Sequence, residues 1–177
     1  MNVVYLGIGS NIGKRKQNLE QATIKIAELC YTIRKSRFYE TLPRYREDQP
    51  RFLNAALQCS CTLKPNQLLA ELQRIEAEMG RERKNAGWMG PRNIDIDILL
   101  FGAQVIHTLD LAVPHPRIPE RKFVLIPLLE LNPLLSDPQT GDSYYCALAK
   151  LESQGIYYHT LNRYIQPDAH GSPGQSR

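Results

Sequence analysis

The chain has 177 residues, 42% hydrophobic and 23% charged, with a formal net charge of +4, a balance that fits one soluble domain with a core and leaves little room for two. No apolar run approaches a membrane span and the first residues lack the basic region and cleavage site of a secretory signal, so a cytoplasmic protein is expected. Cys30, Cys59, Cys61 and Cys146 form no C-x-x-C pair and have no histidine at zinc spacing, so they read as small buried thiols rather than a metal or disulfide framework.

Residues 2–8 read as a buried first strand, closed by Gly9-Ser10-Asn11. Leu19, Ala22, Ile26 and Leu29 recur at helical spacing, which predicts a helix over 17–30 with one apolar stripe. A second strand, 33–39, precedes a charged, proline-containing loop at 40–51 that is too polar to pack and long enough to move. A third strand, 52–62, is followed by Pro65, which suits the first turn of a helix, and that helix presents Leu68, Leu72, Ile75 and Met79 to a core. A second long loop, 80–90, leads to a strand beginning at Ile94. The resulting order, β-α-β-β-α-β, is the split β-α-β or ferredoxin-like α+β arrangement, with helices on one sheet face and the other face left for a ligand. Residues 104–106 are expected to add a short hairpin strand, and 121–131 and 144–151 further helices. The tail from Gln166 has no apolar anchor, so the expected division is a single catalytic domain over 1–165 and a disordered tail over 166–177.

The most informative stretch is Gly90-Pro91-Arg92-Asn93-Ile94-Asp95-Ile96-Asp97-Ile98-Leu99-Leu100. Apolar and acidic residues alternate with the period of a half-buried strand. Ile94, Ile96, Ile98 and Leu100 are expected to point into the core. Asp95 and Asp97 then share the other face, about 6.6 Å apart along the strand. Such alternation also suits an exposed face with cross-strand ion pairs. Two adjacent carboxylates, however, raise each other's pKa, and a hard divalent cation such as Mg²⁺ relieves that cost. Arg92, three residues earlier, is placed to meet an anion held by the cation.

Gly7-Ile8-Gly9-Ser10-Asn11-Ile12-Gly13 resembles a dinucleotide fingerprint, but its third glycine is one place late; a tight strand-to-helix turn is the better reading. Gly80-Arg81-Glu82-Arg83-Lys84 leads into Arg92 and reads as a mobile arginine clamp, against the alternative of a solvated charged loop. Val113-Pro114-His115-Pro116-Arg117 sets a histidine between prolines and near Arg121, a fair donor set for phosphate.

Three stretches, Gly9-Ser10-Asn11, Asp48-Gln49-Pro50-Arg51-Phe52-Leu53-Asn54-Ala55 and Gly90-Pro91-Arg92-Asn93-Ile94-Asp95-Ile96-Asp97-Ile98, together resemble the 6-hydroxymethyl-7,8-dihydropterin pyrophosphokinases of folate biosynthesis. Val113-Pro114-His115 and Arg121-Lys122-Phe123 complete the likeness, which runs from about Val3 to Leu131. The resemblance implies an enzyme that moves the β,γ-pyrophosphoryl group of ATP to the pterin hydroxymethyl oxygen and leaves AMP. It implies that Asp95 and Asp97 hold two Mg²⁺ ions, and that Arg81 and Arg92 stabilise charge in the transition state. Gln73, Glu76, Arg83, Ile98, His115 and Arg121 would seat ATP. Phe52 and Phe123 would sandwich the pterin ring, with Asn54, Trp88 and the backbone near Thr41 and Leu42 completing that subsite. No residue stands out as general base, which phosphoryl transfer can do without. ATP and the pterin are the implied partners, with other folate-pathway enzymes as candidates and neither nucleic acid nor membrane expected.

The chain departs from the family pattern at Leu42 and Tyr45, at Met89, which contests the tryptophan position with Trp88, and at Asp110 and Pro116. Two other classes share the topology. An RNA-binding module would stack bases on this sheet face, which two aspartates and the missing aromatic signature oppose. A two-metal nucleotidyl transferase or cyclase also uses paired aspartates, and would release pyrophosphate instead of AMP.

Overall fold

A computed structural model of the chain describes residues 1–43, 48–81, 90–158 and 163–164. The elements run β1 (Asn2–Ser10), α1 (Arg15–Ala27), β2 (Tyr31–Lys35), β3 (Tyr39–Thr41), β4 (Phe52–Cys61), α2 (Pro65–Glu78), β5 (Asp95–Phe101), β6 (Ile106–His107), β7 (Ala112–Val113), a 3₁₀ turn (Ile118–Glu120), α3 (Lys122–Leu131), α4 (Tyr144–Lys150), β8 (Ile156–Tyr158) and β9 (Arg163–Tyr164). The main sheet has the order β5-β1-β4-β3-β8-β9 with β2 also beside β4, and each neighbour is antiparallel. Because β1 separates two strands that both oppose it, β4 and β5 run parallel across it, as the expected β-α-β-β-α-β order requires. No helix among the described residues is long and apolar enough to cross a membrane.

One face of the sheet is covered by α1 and α2, whose Leu19, Ala22, Ile26, Leu68, Leu72 and Ile75 pack on Leu6, Ile8, Leu57, Ile96 and Ile98. Pro65 opens α2, and the Gln67 side chain accepts the Lys64 N–H at 3.0 Å, so the helix start is satisfied locally. Cys30, Cys59 and Cys61 lie in this core. A hydrogen bond with Cys59, then burial, holds the Cys30 thiol far above its ordinary pKa, and burial raises Cys61. Cys146, on α4, is exposed instead of buried.

Several boundaries differ from the sequence reading. The second strand is two, β2 and β3, because Ser36 interrupts the ladder. Its backbone N–H still donates to Ala56 O at 3.0 Å, while its hydroxyl accepts the Ala56 N–H at 2.9 Å. The hairpin is formed by β6 against β7, further along the chain than 104–106. Strands β8 and β9 extend the sheet beyond β3 and were not anticipated, and the 166–177 tail lies outside the described residues.

Leu100 is the clearest correction. The pairing runs Leu6 with Ile98 and Tyr5 with Leu100, so β5 carries one extra residue, Leu99, and bulges. Leu99 and Leu100 therefore both join the second cluster, with Tyr5, Ala56, Ile118, Leu125, Leu128 and Tyr144. The second face is consequently shared: α3 and α4 cover one half, and the half bearing Asp95 and Asp97 stays open.

A carboxylate fixes where α3 sits. Near the end of that helix, Glu130 accepts the Tyr39 hydroxyl at 2.5 Å and the Arg37 backbone N–H at 3.2 Å, and pairs with Arg37 Nε at 3.0 Å. Glu130→Ala is expected to lower the unfolding free energy by about 1.5–3 kcal/mol, the range for hydrogen bonds to a charged group. Urea denaturation with an unchanged m-value would show it, and a loss below about 0.5 kcal/mol would contradict this role.

Candidate active site

The register of the sheet lays the open face out in rows. Asp95 pairs with Gly9, Gly9 with Asn54, and Asn54 with Tyr39. One step along, Asp97 pairs with Gly7 and Gly7 with Ala56. At the usual spacing of neighbouring strands, the acidic strand and the Asn54 strand stand about 10 Å apart with only glycine backbone between them. A Cβ at Gly9 would lie 2.8 Å from Asn54 Oδ1. Gly9, expected to close the strand, is thus a strand residue as Gly7 is, and the two form a trough; of the run from Gly7 to Gly13 only Gly13, at φ +66°, has a conformation that favours glycine.

The trough belongs to a cavity of about 320 Å³. Asp95, Asp97, Arg81 and Arg92 line one end. His115, Arg117 and Arg121 line its flank, and Thr41, Leu42, Phe52, Asn54 and Phe123 the other end. Asn54 Nδ2 donates to Thr41 Oγ1 at 2.9 Å, which orients its amide. Arg92 lies with its guanidinium carbon 5.6 Å from the Phe52 ring centre, and Arg121 lies 5.5 Å from that of Phe123, so each ring meets a cation on its way into the site.

The charges at the acidic end are closely matched. Asp95 Oδ1 is 2.7 Å from Arg81 Nη1, and Asp95 Oδ2 is 2.8 Å from Arg92 Nη1. Burial, then the charge of Asp95, pushes Asp97 up to about 7, against the opposing pull of Arg121. His115 goes the other way, pushed down to about 4 by burial and by Arg121 and Arg117. Its Nδ1 accepts the Arg117 backbone N–H at 3.2 Å, which leaves Nε2 carrying the proton, so His115 is a neutral donor. The bulge at Leu99 contributes: its carbonyl accepts the His115 N–H at 2.9 Å.

Three residues expected at the nucleotide site, Gln73, Glu76 and Ile98, are not among those that line the cavity. Gln73 is exposed on α2, away from the cavity lining. Ile98 is packed in the core under α2, so it can offer a ligand backbone only. Glu76 is 1% exposed, and its Oε1 accepts the Ile96 N–H at 2.7 Å and pairs with Arg81; it supports the site without lining it. Arg83 and Trp88 lie outside the described residues, as do Tyr45 and Met89. Asp110 is exposed in the turn of the hairpin, apart from the cavity, whereas Pro116 lines it.

Asn11 and Gln49 were quoted only as parts of motifs, and their role was missed. Asn11 is 1% exposed. Its Oδ1 accepts the Arg92 N–H at 2.7 Å, its own N–H donates to Arg92 O at 3.1 Å, and its Nδ2 donates to Gln49 Oε1 at 3.0 Å. Asn18 adds a bond to Asn93 O at 3.1 Å. One buried amide therefore binds three loops together, and the only sequence signal for it is a polar residue directly after an apolar strand.

Among the described residues no group of three or more His, Cys, Asp or Glu forms a cage for a metal. A pair of carboxylates supplemented by water and phosphate oxygens is nonetheless how Mg²⁺ is commonly held. The donor set fits such an ion: hard oxygens, one of them on a carboxyl that burial and a like charge make reluctant to ionise alone.

Comparison with known proteins places these features. The family model described as 7,8-dihydro-6-hydroxymethylpterin-pyrophosphokinase (HPPK) matches residues 5–133. A Bacillus subtilis 2-amino-4-hydroxy-6-hydroxymethyldihydropteridine pyrophosphokinase is 47% identical over 132 residues, 73% of this chain and 78% of its own. A folic acid synthesis protein of Pneumocystis carinii is 40% identical over 154 residues, 86% of this chain and 20% of its own. The chain spans about a fifth of the length of that relative and of its Dictyostelium discoideum counterpart. A crystal structure of Plasmodium falciparum HPPK-DHPS with pteroate superposes with a TM-score of 0.67 at 16% identity, covering 84% of this chain and 42% of the other, a likeness of fold.

The titration of Asp97 gives a test of the charge arrangement. With its pKa raised from 3.8 to about 7, the folded chain keeps a proton that the unfolded chain releases, so this contribution to stability is present at low pH and is lost as pH rises through about 7. His115 opposes it, costing stability as pH falls from 6.5 towards about 4. In chelator, Asp97→Asn should therefore raise the Tm, by about 2–4 °C for each kcal/mol regained, and more at pH 8 than at pH 5. A Tm difference that is the same at both pH values would contradict the assignment.

Proposed function

Because the chain belongs to the 7,8-dihydro-6-hydroxymethylpterin-pyrophosphokinase family, we propose that it transfers the β,γ-pyrophosphoryl group of ATP to the hydroxymethyl group of 6-hydroxymethyl-7,8-dihydropterin, in the cytoplasm, for folate synthesis. The observation that carries this reading is the glycine trough. It joins an acidic, arginine-rich end suited to a polyphosphate to an aromatic and amide end suited to a flat heterocycle.

The pterin hydroxymethyl oxygen forms a bond to the β-phosphorus, the bond from that phosphorus to the α–β bridging oxygen breaks, and AMP leaves as the hydroxyl proton is released. Asp95 and Asp97 would hold two Mg²⁺ ions, which supply charge neutralisation for the triphosphate. Arg81 and Arg92, both paired with Asp95, would direct their guanidiniums at phosphate oxygens and meet the charge that builds on the leaving group. His115 donates from Nε2 to a phosphate oxygen without adding net charge, and Arg121 grips beside it. Phe52 and Phe123 stack on the pterin, and Asn54, held by Thr41, reads its polar edge. Positioning and charge stabilisation carry the step, with no side chain assigned as general base. A relative from Arabidopsis thaliana is named a folate synthesis bifunctional protein, of which the matched part is 26%; other folate-pathway enzymes are therefore the candidate partners of this chain.

The deciding measurement is AMP formed from ATP, with and without the hydroxymethyl dihydropterin. AMP that appears only with the pterin supports the reading, and pyrophosphate in its place indicates a nucleotidyl transferase. Arg92→Ala should lower kcat by about 10²–10³-fold while changing the ATP dissociation constant much less, because its contact strengthens in the transition state. A change confined to ATP binding would remove that role. Asp95→Asn should cost most of the turnover at saturating Mg²⁺ in a chain that still folds, and a near-normal rate would remove the metal assignment.

A further inference from the structure

The chain after α4 passes behind the cavity and bonds backbone at or beside two parts of its lining, the start of α3 and Leu42. Gln154 Oε1 accepts the Lys122 backbone N–H at 2.9 Å, and Gln154 Nε2 donates to Glu120 O at 3.0 Å. One side chain thus bridges the junction between the 3₁₀ turn and α3, with Phe123 one residue beyond it. Immediately afterwards Gly155 O accepts the Leu42 N–H at 3.4 Å. Gly155 has φ +61°, and a Cβ there would lie 2.8 Å from Leu42 Cδ1. Ile156 then pairs with Thr41 in the sheet, and Arg51, the neighbour of Phe52, lies 5.3 Å from the Tyr157 ring centre.

Four consecutive residues therefore hold the α3 wall, the Leu42 wall and the approach to Phe52 in one rigid relation. The acidic end is held separately, by Asn11 and Glu76. Arg121 keeps its own backbone bond, N–H to Ile118 O at 3.2 Å. The family model ends at residue 133, so this strap lies beyond the matched region.

We propose that residues 154–157 are a positioning strap that sets the width of the ring-binding end of the cavity, and so the fit of a flat heteroaromatic substrate more than that of the nucleotide. Gln154 works through the backbone of α3, and Gly155 through Leu42. A ring clamped between two walls loses contact with both if either retreats by a fraction of an ångström, since dispersion contacts fall off steeply with separation. The inference rests on the proposed reaction for the identity of the ring.

The test is steady-state kinetics of Gln154→Ala, Gln154→Glu and Gly155→Ala beside the unaltered chain, with folding followed by Tm. Gln154→Ala and Gly155→Ala should raise KM for the hydroxymethyl dihydropterin about three- to tenfold, the scale of one lost hydrogen bond. KM for ATP should change less than about twofold under the same reasoning. Gln154→Glu keeps the acceptor for Lys122 and loses the donor to Glu120, so its pterin KM should fall between those of the unaltered chain and the alanine variant. An unchanged pterin KM, or equal rises for both substrates, overturns the proposal. If the unaltered chain makes no AMP the proposed reaction falls, and amide exchange then judges the strap. Faster exchange at Lys122 and Phe123 in Gln154→Ala upholds it, and unchanged exchange overturns it.

Discussion

Two carboxylates side by side on a largely buried sheet face are the constraint around which the remainder is built. Left to itself, Asp97 is pushed toward its neutral form by burial and by the charge of Asp95. The surrounding residues answer that cost with cations. Arg81 and Arg92 take the two oxygens of Asp95, and Arg121 draws on Asp97. Each cation must itself be placed, and buried polar groups do so: Glu76 for Arg81, and Asn11 for the backbone of Arg92. The polar network is thus hierarchical: Asn18 fixes the turn at Asn93 from outside the cavity, and Gln49, itself on the cavity lining, ties its own loop to Asn11.

Much of this could be read from residue patterns, and the limits of that reading have physical causes. Period-two alternation located β5 and the shared face of its aspartates, because strand geometry leaves few other options. It failed at Leu100, since a bulge shifts the register without leaving a mark on composition, and Leu99-Leu100 is equally apolar read either way. Gly7 was read within the first strand, and Gly9 suggested its end because glycine commonly marks a turn. Their actual role, the absence of side chains over a trough, depends on Asn54 and Asp97, which are distant in sequence. Ile98 was assigned to a ligand by family likeness although its own alternation with the aspartates placed its side chain in the core. Strands β8 and β9 were missed because β8 borrows its hydrogen bonds from the edge of β3 and β9 from β8, and both are too short to display a period.

The fold and the chemistry carry different weights of evidence. A TM-score of 0.67 at 16% identity speaks for the shape of the sheet alone, and this α+β topology supports unrelated activities. Identity of 47% over 78% of a Bacillus subtilis 2-amino-4-hydroxy-6-hydroxymethyldihydropteridine pyrophosphokinase speaks for the family. The trough connects the two levels, for it is where a common sheet becomes a particular container.

The bare floor at Gly9 also bears on inhibition. A compound resting on it would contact main-chain atoms, which no change of codon can remove. The only alteration open at that spot is to add atoms, and the first added carbon would already crowd Asn54 Oδ1 at 2.8 Å. A resistant variant would have to exclude the drug by blocking the space that the natural ligand also needs, so escape by substitution at this position carries its own loss of fitness.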